Sequence, residues 1–353
     1  MGTRPEIIKM SPVIRECVDR RLDYFILHSG QHYSFEMDRV FFEELELPAP
    51  RFNLDVGSGT HAEQTGKIMT GVEKVLADVR PEVVLVQGDT NTVLAASLAA
   101  SKMHIKVGHV EAGLRSFDMR MPEEINRVMA DHVSDMLFAP TELAKSNLLR
   151  EGISEGVYVT GNTIVDAVYQ TVEIARSKSD ALRRFGLRPG GFSIVTVHRQ
   201  ENVDEKDKLS DIISGLSKVA EETGIPVVLP VHPRTQKRLD QFGLEPRGIT
   251  CVPPLGFLDF LLLESSARLA LTDSGGVQEE TCILKVPCVT LRENTERSET
   301  LDVGSNVLAG TDPEKIVSLA KSMLKVKRDW RNPFGDGKAG KRIVDAVIGA
   351  CRL

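Results

Sequence analysis

The stretch that decides the fold is Arg268-Leu-Ala-Leu-Thr-Asp-Ser-Gly-Gly-Val-Gln-Glu-Glu280, in which an apolar strand runs directly into a turn that opens a helix. Gly275 and Gly276 let the backbone approach a ligand, and Ser274 is suited to cap the helix. The N–H groups of the first turn lie at the positive end of the helix dipole and attract anions. Glu280, further along the helix, is placed to accept hydrogen bonds from two ribose hydroxyls. The pattern predicts a binding site for the diphosphate of a nucleotide, and the alternative is a strand-to-helix connection with no ligand.

The same rhythm of strand and helix extends along the chain. Short apolar runs predict strands at Tyr24–His28, Val83–Gln87, Lys106–Val110, Met136–Ala139, Val157–Thr160, Ser193–Val197, Val227–Val231, Leu269–Thr272 and Cys288–Leu291. Crossover helices such as Asn91–Met103 and Leu209–Glu222 imply parallel sheets that are covered on both faces. We therefore expect an α/β fold with parallel sheets flanked by helices, and 353 residues suit two domains around a central cleft.

The predicted domain limits follow from a helix and a glycine-rich loop segment. The helix Asp166–Ser177 and the Gly-Leu-Arg-Pro-Gly-Gly stretch at 186–191 mark the predicted joint, which gives domains at 1–168 and 169–332 and a terminal segment at 333–353. The chain begins Met-Gly-Thr-Arg-Pro-Glu, a loop-to-helix transition with no strand ahead of it. Because such a domain normally starts with a central strand, we expect a truncated or misplaced start, and a gap in the sheet is the alternative.

Composition excludes several classes of protein. A net charge of −6 argues against a surface built for nucleic acid. The five cysteines form no C-x-x-C pair and no zinc-type cluster with histidine, so neither a disulfide framework nor a metal site is expected. Because no apolar run reaches about 18 residues and the N-terminus lacks a signal-peptide pattern, the sequence predicts a cytoplasmic protein with no membrane partner.

Carboxylates gather at predicted strand ends. Asp89 follows Val83–Gln87, Glu111 follows Lys106–Val110, and Glu123 and Glu124 open a helix at Pro122. Each has a structural alternative, as a helix cap or as a complement to the helix dipole. The carboxyl ends of neighbouring parallel strands lie side by side, so the first two acids should be close together. Such clustering favours an acid and base pair for proton transfer.

Other polar residues extend the candidate site. His198 ends the strand Ser193–Val197, where a structural histidine is the alternative to a functional one. Arg4, Lys9 and Arg297 are candidate phosphate clamps, although isolated basic residues commonly lie on a solvated surface. The stretch Gly57-Ser58-Gly59-Thr60-His61-Ala62 mimics a dinucleotide fingerprint, but Arg51–Val56 is a poor buried strand and no acidic strand end follows at the required distance. We therefore expect neither NAD nor any other cofactor.

Six ordered motifs, which cover nearly the whole chain, closely resemble those of the non-hydrolysing UDP-N-acetylglucosamine 2-epimerases. They are Gly2-Thr-Arg-Pro-Glu6, Gly88-Asp-Thr90, Gly108-His-Val-Glu-Ala-Gly-Leu-Arg115, Pro122-Glu-Glu-Ile-Asn-Arg127, His198-Arg-Gln-Glu-Asn202 and Asp273–Glu280. The resemblance implies two Rossmann-like domains of the GT-B type, with the last helix crossing back onto the first domain. It also implies a homodimer that inverts C2 of UDP-N-acetylglucosamine.

The chemistry that the resemblance implies is elimination of UDP across C1–C2, followed by re-addition with a proton delivered to the other face. Asp89, Glu111 and Glu123 match the essential acids of the family, and His198 matches its essential histidine. We expect the acids to share proton transfer and the histidine to assist at the departing phosphate. The positions that match UDP contacts are Arg4, Lys9, Phe260, Ser274, Gly275, Gly276, Glu280 and Arg297.

This chain departs from the family pattern at the segment that holds an activating substrate molecule. Bacterial members hold a second, activating substrate molecule on a Gln-His-Arg-Gln-like segment, where this chain has Gln31-His-Tyr-Ser34 and the Gly57–Gly59 loop. We therefore do not expect activation by substrate.

The alternatives to a non-hydrolysing epimerase are a hydrolysing 2-epimerase that gives free N-acetylmannosamine and UDP, a GT-B glycosyltransferase, and a catalytically silent sensor of nucleotide sugars.

Overall fold

The computed structural model describes residues 1–31 and 35–351, with the backbone alone for 35–38. Two compact units divide the chain: unit 1 contains Met1–Gln170 and Phe334–Leu353, and unit 2 contains Thr171–Pro333. The segment His32–Ser34, part of the Gln31–Ser34 stretch considered in the sequence, lies outside the described residues.

Helices and strands alternate throughout the described chain. The strands are β1 (Leu27–His28), β2 (Phe52–Asn53), β3 (Val83–Gln87), β4 (Lys106–Val110), β5 (Met136–Ala139), β6 (Val157–Val159), β7 (Ser193–Thr196), β8 (Val227–Pro230), β9 (Ile249–Val252), β10 (Leu269–Thr272), β11 (Cys288–Thr290) and β12 (Asn306–Leu308). The helices are α1 (Arg4–Asp19), α2 (Phe35–Glu44), α3 (His61–Val79), α4 (Asn91–Lys102), α5 (Pro122–Val133), α6 (Glu142–Arg150), α7 (Thr163–Lys178), α8 (Ala181–Arg184), α9 (Gln200–Val203), α10 (Lys206–Thr223), α11 (Pro233–Phe242), α12 (Phe257–Ser266), α13 (Gly275–Ile283), α14 (Ser298–Asp302), α15 (Pro313–Met323) and α16 (Ala339–Cys351).

Unit 1 contains a four-stranded parallel sheet in the order β3-β4-β5-β6 and a separate parallel pair, β1-β2. Strands β3, β4 and β5 have the bounds that the sequence predicts. Strand β1 is shorter than the predicted Tyr24–His28. Strand β2 occupies only two half-buried residues of Arg51–Val56, which agrees with the expectation that this stretch is a poor buried strand. Beside β1, the Met1 amino group donates to the Leu27 carbonyl (3.1 Å) and the Ser29 N–H donates to the Met1 carbonyl (2.9 Å).

Helix α1 begins at a carboxylate cap. Glu6 accepts hydrogen bonds from the backbone N–H groups of Gly2 and Thr3, the latter at 2.9 Å. These N–H groups precede or open the helix and have no intrahelical partner, so the buried carboxylate satisfies them. The Thr90 hydroxyl also donates to Glu6, at 2.5 Å. One side chain therefore joins the start of α1 to the loop between β3 and α4.

Helix α16 packs on α1 within unit 1. A Cβ built on Gly340 would lie 2.9 Å from the side chain of Pro12, so glycine is required for this close approach. Asp166 in α7 accepts hydrogen bonds from the N–H groups of Ala339 (3.2 Å) and Gly340 (3.0 Å) at the start of α16. The C-terminal helix is thus fixed to unit 1 by both packing and capping.

Unit 2 contains a six-stranded parallel sheet in the order β12-β11-β10-β7-β8-β9. Alternate residues of its central strands face two cores: Leu269 and Leu271 of β10 pack on the side of α10 and α15, and Ala270 packs on the side of α12. The sheet is therefore covered on both faces, as expected for parallel strands. The sequence analysis missed the two edge strands, β9 and β12.

The predicted α/β class, with parallel sheets flanked by helices, is confirmed in both units. Within the described residues, no helix combines the length and the apolar character that a membrane span requires.

Candidate functional site

The carboxyl ends of β3 and β4, which are neighbours in the sheet of unit 1, each lead into a predicted acid. Gln87 and Val110 are paired in the sheet, and the Gly88 N–H donates to the Val110 carbonyl at 3.1 Å. Gly88 therefore lies beside Glu111, and Asp89 is the next residue of its loop. The register of the parallel strands is what places these residues together.

Asp89 is held by Arg127 of helix α5. The guanidinium contacts one carboxylate oxygen through Nη2 at 2.8 Å and through Nε at 3.0 Å, and Asn126 donates to the Asp89 carbonyl at 2.9 Å. The Asp89 side chain keeps 34% exposure and thus remains accessible from solvent. Sequence reasoning quoted Arg127 only as part of a motif and missed this contact.

Glu111 receives donors from three different elements. Lys9 in α1 contacts its two carboxylate oxygens at 2.6 and 2.8 Å, Gln87 in β3 donates at 2.5 Å, and Asn162 before α7 donates at 3.3 Å. The backbone of Glu111 has φ +75°, in the left-handed region that is unusual for a residue other than glycine. Its position is therefore fixed by strand, helix and loop together. Lys9, which the sequence assigns to UDP, pairs here with a predicted catalytic acid.

The two glutamates at the start of α5 have different environments. Glu124 is buried and accepts hydrogen bonds from the N–H groups of Ser116 (3.0 Å) and Phe117 (2.8 Å), and it pairs with Arg127. Burial alone would raise the pKa of Glu124, but the hydrogen bonds from Ser116 and Phe117 lower it. Glu123 is exposed, and within the described residues its side chain forms no hydrogen bond or ion pair. Only Glu124 is tied into the structure of the loop before α5.

A buried polar network supports the loop that carries Asp89. His109 lies in the middle of β4, where Nδ1 is 2.6 Å from Asp131 and Nε2 is 2.8 Å from the Gly88 carbonyl. Arg115 contacts the other Asp131 oxygen at 2.7 Å. Burial would lower the pKa of His109, but the charge of Asp131 and the hydrogen bond to it outweigh burial and raise the pKa. Both ring nitrogens therefore donate, and the imidazolium fixes Gly88.

Sequence reasoning did not single out His109 or Asp131 as functional. The signal was present as a histidine inside an otherwise apolar strand, because a buried histidine needs polar partners.

The Ser-Gly-Gly turn in unit 2 has the predicted strand-to-helix geometry. The Ser274 N–H donates to the Thr272 hydroxyl at 2.9 Å, and the first helical bond runs from the Gln278 N–H to the Ser274 carbonyl. Ser274 occupies the N-cap position but its side chain makes no capping hydrogen bond, so the predicted side-chain cap is wrong. In the described part of the chain, no acceptor pairs with the N–H groups of Gly275, Gly276 and Val277. These three donors are suited to an anion.

The two glycines leave open space in front of the turn. A Cβ built on either one would have its nearest neighbour at 3.9 Å, which is ordinary van der Waals separation. Neither glycine adopts a left-handed backbone conformation. Glycine here provides room rather than an unusual turn.

Asp273 connects the turn to His198. This fully buried carboxylate accepts hydrogen bonds from the N–H groups of His198 (3.0 Å) and Arg199 (2.9 Å), and His198 Nδ1 lies 3.2 Å from its other oxygen. Burial would raise the pKa of Asp273, but the contacts with His198 and Arg199 lower it. The His198 side chain is 42% exposed, so its ring is accessible while Asp273 orients it. The sequence analysis did not name Asp273 as a site residue.

The remaining predicted residues occupy separate places within the two units. Arg4 stands at the start of α1 with its guanidinium 4.8 Å from the centre of the Phe41 ring. In unit 2, Arg297 pairs with Glu279 at 2.8 Å. Phe260 is half-buried against the core on the α12 side of the sheet. Nucleotide contacts of these residues stay predictions.

The described residues contain no group of three or more histidine, cysteine or acidic side chains arranged to hold a metal ion.

Taken together, the two units with parallel sheets define an α/β protein of the GT-B-like class. MurG from Acinetobacter baumannii shares this fold, with a TM-score of 0.56 at 12% identity over 99% of this chain and 97% of that protein. The model of the UDP-N-acetylglucosamine 2-epimerase family matches residues 15–348. The chain belongs to this family, and the family assignment made from the sequence motifs is confirmed.

Relatives cover the chain from end to end. The UDP-N-acetylglucosamine 2-epimerase of Methanocaldococcus jannaschii is 54% identical over 98% of this chain and 96% of that protein. A structure of that enzyme has a TM-score of 0.92 and covers 99% of this chain and 98% of its own. Another, in complex with UDP-GlcNAc and UDP, has a TM-score of 0.81 with the same coverage. The UDP-2,3-diacetamido-2,3-dideoxy-D-glucuronate 2-epimerase of Pseudomonas aeruginosa is 40% identical over 98% of this chain and 97% of that protein.

Proposed function

We propose that this protein interconverts UDP-N-acetylglucosamine and UDP-N-acetylmannosamine by inverting C2 of the sugar. A base removes the C2 proton while the bond from C1 to the phosphate oxygen breaks, which gives 2-acetamidoglucal and UDP. The same phosphate oxygen then re-forms its bond to C1 as an acid delivers a proton to the opposite face of C2. Atoms balance over the cycle, so the reaction consumes neither water nor a redox cofactor.

The observation that carries this proposal is the pair of acids at the carboxyl ends of β3 and β4. Asp89 and Glu111 lie on neighbouring strand ends, each with a cationic partner in contact. Together with Glu123 they are the proposed groups for removal and return of the proton, since elimination and re-addition need an acid and a base. His198, oriented by buried Asp273 and accessible from solvent, is proposed to assist at the departing phosphate.

The proposed nucleotide site uses the open turn after β10. The N–H groups of Gly275 and Gly276 are suited to the diphosphate, with Ser274 beside them, and Glu280 is suited to the ribose hydroxyls. Phe260 is proposed to contact the base, and the cations Arg4, Lys9 and Arg297 are proposed to contact the diphosphate.

The test is NMR of the purified protein with UDP-N-acetylglucosamine in D2O, without added NAD or metal. We expect deuterium to enter C2 as UDP-N-acetylmannosamine accumulates. Free N-acetylmannosamine plus UDP would identify a hydrolysing enzyme, transfer of the sugar to an acceptor would identify a glycosyltransferase, and binding without turnover would identify a sensor.

Variants distinguish a catalytic role of the proposed acids from a general effect of removing negative charge. Glu111→Gln and Asp89→Asn should each lower kcat by at least a hundredfold, the usual range for loss of a general acid or base. Asp118→Asn is the matched control, because Asp118 is a partly exposed acid of unit 1 whose carboxylate, within the described residues, contacts only the neighbouring Arg120. An equal loss of activity in Asp118→Asn would refute the assignment, as would retention of full activity in Glu111→Gln.

A second candidate substrate follows from the Pseudomonas aeruginosa relative. UDP-2,3-diacetamido-2,3-dideoxy-D-glucuronate has a carboxylate at C6 and a second acetamido group, and it undergoes the same inversion at C2. Parallel assays of the two nucleotide sugars decide between them: a higher kcat/KM for the uronate would replace N-acetylglucosamine as the substrate.

We also propose that the protein is a cytoplasmic homodimer. Support for the dimer is a group of exposed apolar side chains on and before α5, namely Phe117, Met119, Met121, Ile125 and Met129. Exposed apolar patches of this kind mark contact surfaces. Support for the cytoplasm is that all five cysteines, each within the described residues, carry free thiols. Sedimentation of Ile125→Glu tests the dimer, since a dimer that uses this surface should dissociate.

A further inference from the structure

Glu264 in α12 is a buried carboxyl group whose oxygens receive no hydrogen bond from the described residues. Its side chain has 0% exposure, and among the described residues neither of its oxygens accepts a hydrogen bond from an N–H or a hydroxyl group. Burying an unpaired carboxylate is very unfavourable, so such a group is paired or takes up a proton. The neighbouring Leu262 and Leu263 belong to the hydrophobic core on this side of the sheet and offer no polar partner.

The partner of Glu264 is another carboxyl group. Burial raises the pKa of Glu264 well above its ordinary value, and the charge of Glu280 in α13 and the hydrogen-bond contact with that carboxyl group raise it further. Two ionised carboxylates are both acceptors and repel each other, so a hydrogen bond between them requires one proton. That proton belongs on the fully buried member, because Glu280 is only half-buried and is better solvated.

We propose that Glu264 is a positioning residue: as a neutral carboxylic acid, it donates a hydrogen bond to Glu280 and holds that carboxylate in place for the ribose hydroxyls of the nucleotide. This inference rests on the proposed function, in which Glu280 binds ribose one turn beyond the Ser-Gly-Gly turn. The role is distinct from catalysis, since Glu264 is buried and acts only through Glu280.

The test compares UDP with 2′,3′-dideoxy-UDP, which lacks both ribose hydroxyls, by calorimetric titration of the whole protein. Wild type should bind UDP more tightly. Glu264→Met removes the donor and should weaken UDP binding about tenfold, the effect of one hydrogen bond to a charged group, while the dideoxy nucleotide changes by less than about twofold. Glu264→Gln restores an N–H donor of similar shape and should bind both nucleotides as wild type does.

The controls distinguish positioning from general damage. Glu221→Met, at an exposed glutamate of α10, should leave both affinities unchanged. If Glu264→Met weakens the binding of both nucleotides equally, Glu264 serves only the structure. If Glu264→Gln binds the nucleotides as Glu264→Met does, Glu264 does not act as a hydrogen-bond donor. Either result overturns the inference, as does an unchanged preference for UDP in Glu264→Met.

A spectroscopic measurement keeps the inference falsifiable if Glu264→Met fails to fold. The infrared difference spectrum between wild type and Glu264→Gln at neutral pH should contain the carbonyl stretch of one protonated carboxylic acid, and its absence would overturn the inference. The proposed function fails separately, if wild type does not epimerise the nucleotide sugar. If wild type binds both nucleotides equally, the ribose role of Glu280 fails and the positioning role fails with it.

Discussion

The ion pair between Lys9 and Glu111 gives a sharp quantitative prediction for unit 1. The two side chains have 18% and 9% exposure, so solvent screens the pair only weakly. Lys9→Met would remove this cation from the buried Glu111 carboxylate. Removing one partner of a buried pair costs about 3–5 kcal/mol, and the hydrogen bonds from Gln87 and Asn162 that remain put this case near the lower end.

Hydrogen exchange measured by mass spectrometry can resolve this loss within the unit. A cost of about 3 kcal/mol corresponds to a fall of roughly a hundredfold in amide protection, since every 1.4 kcal/mol is a factor of ten. We expect that fall in peptides that cover β3 and β4, whereas peptides from β10 in unit 2 serve as an internal reference. Lys102→Met, at an exposed lysine of α4, is the control and should change protection by less than about threefold.

The double variant Lys9→Met/Glu111→Gln tests whether the buried charge of Glu111 causes the loss of protection. Neutralising Glu111 removes the buried charge whose lysine partner the first substitution takes away, so the double variant should regain most of the lost protection. If Lys9→Met changes protection by less than about threefold, or if the second substitution adds to the loss, the desolvated ion pair does not explain the stability of this region.

Two further predictions concern the loops beside the acids. The folded pKa of His109 is raised above its ordinary 6.5, so its bond to Asp131 stabilises the fold fully below that pH and progressively less as pH rises through the folded value. The difference in unfolding free energy between wild type and His109→Gln should therefore shrink as pH rises above about 7, and a constant difference from pH 5 to about 9 would contradict it. Gly113→Ala, at φ +79° and with its Cβ 2.3 Å from the Ala144 carbonyl oxygen, should cost about 3 kcal/mol or more in thermal unfolding. Gly152→Ala, at φ +83° but with no neighbour within 4 Å, should cost only about 1 kcal/mol, and equal costs would show that backbone conformation alone matters.

The sequence predicted strands with a local apolar run better than strands whose residues are exposed or half-buried, and burial explains the difference. Strands β4, β5 and β10 lie inside their sheets. Strand β3 is an edge strand of the sheet in unit 1, but its apolar run Val83–Val86 gives it clear bounds. Strands β9 and β12 are the two edges of the sheet in unit 2 and carry exposed or half-buried residues. Such strands are stabilised by pairing with a neighbour, and a local pattern contains no information about that pairing.

The candidate site was predictable in its residue types but not in its contacts. Strand register follows from the sequence pattern, so Asp89 and Glu111 were expected together. Lys9 is 102 residues from Glu111, and no local rule connects them. The choice between Glu123 and Glu124 as the buried acid depends on which side chain turns toward the Ser116 loop. The predicted domain limits at 168 and 332 stay predictions, because compactness of a unit does not establish that it folds alone.

The two histidines of the site region show why position along a strand decides what a histidine does. Each pairs with a buried aspartate: His109 with Asp131, and His198 with Asp273. His109 lies within β4, so both ring nitrogens are used by the protein and the side chain has 0% exposure. His198 follows the end of β7, so Asp273 holds one side of the ring and 42% of the side chain remains exposed. The same pair of residue types therefore fixes a loop in unit 1 and presents an oriented ring to solvent in unit 2, and only the second arrangement leaves a nitrogen for a ligand.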